Sequence, residues 1–132
     1  ALHAGERGLN QMLAIATGGA AGALLRYWTS TGIYGLLGRG FPYGTLVVNV
    51  LGSLVMGFLY VWLIDRLVVG PAMRAFLLIG FLGSYTTFST FSLETLNLFE
   101  SGQAGKAMVN VLSSVVICLC ATWLGVLAAR QL

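Results

Sequence analysis

Two rows of polar side chains run through stretches that are otherwise apolar. Thr45, Asn49 and Ser53 recur every four residues, and so do Asn110, Ser114, Cys118 and Thr122. At helical spacing each row falls on one face, forming a stripe nearly as long as a membrane is deep. A single Ser or Thr in such a helix bonds back to its own backbone. Two aligned stripes, each with an Asn amide, ask for more, because an amide left unpaired in lipid is costly. Two readings stand open: hydrogen bonds that glue helices together, or a solvated or ion-filled pathway.

A third polar concentration lies in residues 80–95, GFLGSYTTFSTFSLET. Gly83 followed by Ser84, Tyr85, Thr86 and Thr87 is poor helix interior and predicts a break at mid-membrane. Non-helical backbone at that depth survives only when it is buried in protein or lines a cavity. A broken helix offers carbonyls at the end of one half and amides at the start of the other, suited to cations and anions respectively. Beyond the break, Phe88 and Phe91 share a face, with Ser89 and Thr90 beside them. Such a pair serves as plain core, or presents positive ring edges to an anion.

The elements that must position these groups follow from composition. The chain has 132 residues, 58% hydrophobic and 8% charged, with mean hydropathy +0.88. Soluble domains carry about a quarter charged residues, so this is read as an integral membrane protein. At about 20 apolar residues per crossing, four spans fit, roughly 10–37, 42–64, 72–99 and 104–130. The first apolar run is too long for a signal peptide. Pro42 and Pro71 suit the first turns of the helices they precede. The connections are short, and the whole of 1–132 reads as one four-helix transmembrane domain.

Several function classes find no residues. One His and four scattered carboxylates do not make a typical metal site. There is no Ser/His/Asp set, phosphate loop or dinucleotide fingerprint, so catalysis is unsupported. No basic cluster with interleaved aromatics points to nucleic acid. Cys118 and Cys120, two apart on a helix, face different ways and read as small packing residues. Gly18/Gly22 and Ser53/Gly57 have the small-residue spacing that lets membrane helices approach. With four spans, one side carries Arg7, Arg66, Arg74 and Arg130, the other Arg26, Arg39 and Lys106. That balance gives little orientation bias; it is noise in a short chain, or the mark of a chain that inserts both ways.

Three segments in order carry a resemblance. Residues 80–92 (GFLGSYTTFSTFS), 41–53 (FPYGTLVVNVLGS) and 22–27 (GALLRY) resemble the third-, second- and first-helix motifs of the small bacterial fluoride channels, the Fluc or CrcB family. The resemblance implies an all-α integral membrane protein of four transmembrane helices, the third broken at mid-membrane, assembled as an antiparallel dual-topology homodimer. It further implies two antiparallel pores that export fluoride from the cytoplasm through the bacterial inner (plasma) membrane by passive electrodiffusion and exclude chloride. The partners implied are fluoride, an inverted copy of the chain and membrane lipid, with no nucleic acid.

Residue by residue, Asn49 matches the pore asparagine, and Phe88 and Phe91 the two phenylalanines whose edges face the ion. Thr45, Ser89 and Thr90 stand along the same pore, and Asn110, Ser114 and Cys118 along a polar track on the last helix. Arg26 matches a vestibule cation. Gly83 and Thr86 match the break, where backbone carbonyls hold a structural sodium ion, the one cofactor implied. The chain departs from the family pattern at Ser84, Tyr85, Asn110 and Cys118. Glu94 resembles a helix-3 acid without a derivable role. Fluoride is small and strongly hydrated, so a pore must replace its water with donors that do not trap it; hydroxyls, an amide and ring edges meet that need. The alternative is a small dual-topology multidrug or guanidinium proton antiporter, which needs a membrane carboxylate that the first span lacks. A structural membrane subunit is a third reading.

Overall fold

The computed structural model describes residues 3–66 and 68–132, and all regular elements among them are helical. Helix α1 (Ala4–Leu37) starts where the Glu6 carboxylate accepts from the His3 N–H at 3.1 Å, an acid in the turn whose free amides favour one. It stops at Gly38, whose φ of 79° is accessible to glycine without strain. Helix α2 (Tyr43–Leu59) runs straight on into a π-helical stretch, Tyr60–Asp65. Helix α3 comprises Pro71–Arg74, a second π-helical stretch at Ala75–Leu82 and a last turn at Gly83–Tyr85. After a break come α4 (Phe88–Glu100) and α5 (Ala104–Arg130). Pro71 occupies the first turn of α3 as expected, whereas Pro42 stands one residue ahead of α2.

Among the described residues, three helical runs are long and apolar enough to cross a membrane: Tyr43–Asp65, Pro71–Glu100 and Ala104–Arg130, with mean hydropathies of 2.1, 1.3 and 2.3. The first expected span forms as the longest helix, but its Gly, Thr, Ser and Arg residues leave it less apolar than those three. Its depth is set by packing. Large apolar side chains such as Leu36, Leu119 and Trp123 are exposed, as lipid-facing groups are. The chain is a membrane protein.

Glycines weld the spans in pairs. Added Cβ atoms at Gly18 and Gly22 would strike the backbones of Phe76 and Phe81, and one at Gly80 would lie 2.6 Å from the Ile15 carbonyl oxygen. Thus α1 lies directly on the π-helical stretch of α3. Across the molecule, Gly57 meets the Thr122 backbone and Gly125 the backbone of Leu54 and Phe58, closing α2 onto α5. Between helices in lipid, such backbone approach supplies the packing that water-driven burial does not. Gly18, Gly22 and Gly57 of the expected small-residue spacings are therefore seams within one chain, whereas Ser53 faces a groove.

Two features depart from expectation. The π-helical stretches have no signature in segments such as Ala75–Leu82 (AFLLIGFL), which are apolar on every side. Arg26 is not near the end of its helix: α1 continues another eleven residues, to Leu37, about 16 Å at helical rise. It lies between Gly22, packed on Phe81, and Thr29, whose hydroxyl accepts from Tyr85 at 3.2 Å. That places it near the depth of the helix break. Without Arg26 the charge comparison becomes four against two, a clearer bias than the sequence suggests.

Candidate functional site

The break falls at Thr86 and Thr87, both extended, with φ/ψ of −83°/158° and −150°/121°. Gly83, expected to share it, is helical at φ −61° and ψ −34°. Glycine tolerates helix when neighbours hold it there, and the chain departs only three residues later. Thr86 bonds back to Leu82 at 3.0 Å. Thr87 caps α4, its hydroxyl accepting from the Thr90 N–H at 3.2 Å and donating to the Thr90 hydroxyl at 3.1 Å. The Thr87 hydroxyl also lies 3.4 Å from that of Ser89.

Asn49 replaces what the helix loses here. Its Nδ2 donates to the Thr87 carbonyl at 3.0 Å, and its Oδ1 accepts from the Thr87 N–H at 2.8 Å. One side-chain amide thus satisfies both backbone groups of an extended residue, as a neighbouring strand would. One Nδ2 proton is left over. Because the Thr87 N–H turns to Asn49, the helical bond it would make to Gly83 is given up, and carbonyls of the last α3 turn are freed.

A groove of about 430 Å³ opens beside the break. It gathers Asn49, Phe88, Phe91, Ser114 and Cys118 of the expected pore, together with Ser53 and Thr122 of the polar stripes and Thr86 of the break. Gly52 leaves room there for the Thr86 side chain. The Phe88 and Phe91 rings lie 5.5 Å apart and tilted by 47°. Phe88 is 78% exposed in the single chain, so it is not core of this subunit. All groove-lining side chains are neutral.

The other residues singled out lie elsewhere. Ser89 and Thr90 are exposed on the first turn of α4. Asn110 is 2% exposed, donates to the Thr95 hydroxyl at 2.9 Å and accepts weakly from Ser114, so it joins α5 to α4. The Thr122 hydroxyl bonds back to Cys118. Arg26 does not line the groove. Thr45 is buried and turns to the Glu94 carboxylate, donating to Oε1 at 2.5 Å, while the Tyr34 hydroxyl donates to Oε2 at 2.6 Å. A second cavity of about 320 Å³ lies over these groups, lined by Tyr34, Arg39, Glu94, Asn97 and Ser101 among others.

Sequence reasoning passed over Tyr34 and the role of Gly52, and named Thr87 only as part of the break. Only Glu94 carried a signal, as an acid inside a span. Among the described residues no group of three or more His, Cys, Asp and Glu stands together, so an ion at the break would meet backbone oxygens. The freed carbonyls near Gly83 and Thr86 are oxygen donors of the kind sodium takes, and a sodium ion held by them would supply positive charge between the two helix halves.

The family model described as CrcB-like protein, Camphor Resistance (CrcB) matches residues 13–126. A Methylococcus capsulatus protein named fluoride-specific ion channel FluC is 61% identical over 121 residues, covering 92% of this chain and 53% of that protein. Thus the chain spans about half the length of that relative. Proteins of the same name from Magnetococcus marinus and Coxiella burnetii are each 51% identical, over 120 and 122 residues, and are covered to 98% of their length.

Proposed function

The chain belongs to the CrcB-like family, and from that premise we propose that it is a fluoride-selective channel, not an enzyme, that exports cytoplasmic fluoride by passive electrodiffusion. The observation that carries the reading is the neutral groove at the break, where Asn49, Ser114, Cys118 and the Phe88–Phe91 pair converge. A hydrated anion entering it exchanges water for a spare amide proton, hydroxyl and thiol hydrogens and positive ring edges. None carries a full charge, so the anion is stabilised without being held. The start of α4 adds the favourable end of a helix dipole at the same place.

In this reading the exposed Phe88 and the open side of the groove face an inverted second copy, giving two antiparallel pores per homodimer in the bacterial inner membrane. Gly83 and Thr86 carbonyls then hold a sodium ion between subunits. Arg26, near the depth of the break, draws anions toward it from the α1 side. The antiporter alternative has no support: the relatives are named as fluoride channels, and the acid within α1 is Glu6 in its exposed first turn.

The test is anion release from liposomes containing only this protein, with potassium ionophore to clamp the voltage. Fluoride release with little chloride release is the expected outcome. Equal rates for both anions, or none for either, sinks the reading. Labelling of loop cysteines from both sides of the membrane tests dual insertion, and exchange of sodium for lithium or potassium in crystals tests the ion.

A further inference from the structure

We propose that Tyr34 is a positioning residue that holds the Glu94 carboxylate against Thr45, clear of the passage between the groove and the second cavity. The inference rests on the fluoride reading above. Glu94 lies within the third span, one helical turn beyond Phe91, and each of its oxygens has a separate donor. The Tyr34 hydroxyl of α1 bonds Oε2 at 2.6 Å and the Thr45 hydroxyl of α2 bonds Oε1 at 2.5 Å. Thr45 is one turn from Asn49 on the same face of α2, so the carboxylate sits just past the end of the groove.

That location conflicts with anion passage. Glu94 lines the wall of the second cavity, and a carboxylate free to swing out from that wall would repel every anion crossing between the two spaces. Tied at both oxygens, it points its charge at two hydroxyls. The Arg39 guanidinium lies 4.5 Å over the Tyr34 ring and lines the same cavity, so the charge nearest an entering anion is positive. Lys106, the other cation at this end, is turned to the Gly40 carbonyl at 3.0 Å. Tyr34 therefore serves twice, with its hydroxyl on the acid and its ring beneath the cation.

The decisive variant is Tyr34→Phe, which keeps the ring beneath Arg39 and deletes one donor to Glu94. Fluoride flux per folded dimer should fall about tenfold. Adding Glu94→Gln should bring it back to within about twofold of wild type, because an amide set loose there has no charge. A purely structural Tyr34 would not be rescued by neutralising its partner. Unchanged flux in Tyr34→Phe, or a loss that Glu94→Gln leaves in place, overturns the proposal. If Tyr34→Phe does not assemble, Thr45→Val removes the other donor and the same rescue is required. Wild-type protein that passes no fluoride fails the underlying reading; active wild type with an indifferent Tyr34→Phe fails this one alone.

Discussion

The groove at the helix break and the cavity over Glu94 are separated by one turn of α2, yet they are built from different groups. The groove is lined by an amide, hydroxyls, a thiol and phenyl rings. The cavity holds a carboxylate, a guanidinium and a phenol. Met56, Val115 and Leu119 also line the groove, so its polar groups are set in a mostly apolar wall, whereas the cavity is the more polar of the two. On the proposed reading the chain lines its path at the depth of the break with dipoles, which stabilise an ion without holding it, and keeps Arg26 off that lining. Toward the helix ends, where water is close, it uses full charges and ties down the one of unhelpful sign.

Moving a charge from the second region into the first should have the largest effect. Asn49→Asp keeps the acceptor for the Thr87 N–H but loses the donor to its carbonyl, and puts a carboxylate in the groove. Flux should drop by about a hundredfold or more, with a lowered melting temperature because the break loses its clamp. Near-normal fluoride flux in that variant would confine Asn49 to holding the backbone.

Phe88→Ile sharpens the contrast without adding charge. Phe88 is 78% exposed in the subunit, so its loss should scarcely disturb the subunit's own packing or its thermal midpoint. Removing the positive ring edge should still lower fluoride flux by about tenfold. A midpoint that falls while flux per folded protein holds would return the ring to packing.

Gly57→Val should do the reverse. It forces a side chain into the backbone of Thr122, a groove residue whose hydroxyl is bonded back to Cys118, at a cost of about 1–3 kcal/mol. Denaturant melts should register that cost, and flux corrected for folded protein should stay near wild type. A large specific loss of flux would mean that the α2–α5 seam sets the groove's width.

The smallest effect is expected from Thr95→Val, which removes the acceptor of the buried Asn110 amide. Leaving that donor unpaired should cost about 1–2 kcal/mol, read by the same melts. Loss of flux out of proportion to that cost would place Asn110 on the pathway after all.

The polar stripes were legible in the sequence, but their division of labour was not. Regular four-residue spacing put Thr45, Asn49 and Ser53 on one face, and that much follows from helix geometry. Thr45 then turns to Glu94, Asn49 to Thr87 and Ser53 to the groove. The α5 stripe likewise serves both open readings: Asn110 bonds between helices, whereas Ser114 and Cys118 line the open groove. The break was foreseen within residues 83–87 and falls at the last two, Thr86 and Thr87, while Gly83 stays helical. Thr87 finds its substitute partner on another helix, and local propensity at Gly83 says nothing about where that partner lies.

By itself the sequence determined what depends on near neighbours or on composition: helical apolar spans, the small-residue seams, the polar faces and the three motifs that mark the family. The tertiary structure alone decided which donor meets which acceptor. The bonds that shape the two sites join residues 38, 49 and 60 positions apart, Asn49 to Thr87, Thr45 to Glu94 and Tyr34 to Glu94. It also decided the depth of Arg26, which follows from where α1 docks on α3 and not from its distance to a loop. A pattern read along a helix gives a direction around its axis. The partner waiting in that direction is fixed only when glycine seams bring the backbones of separate spans into contact.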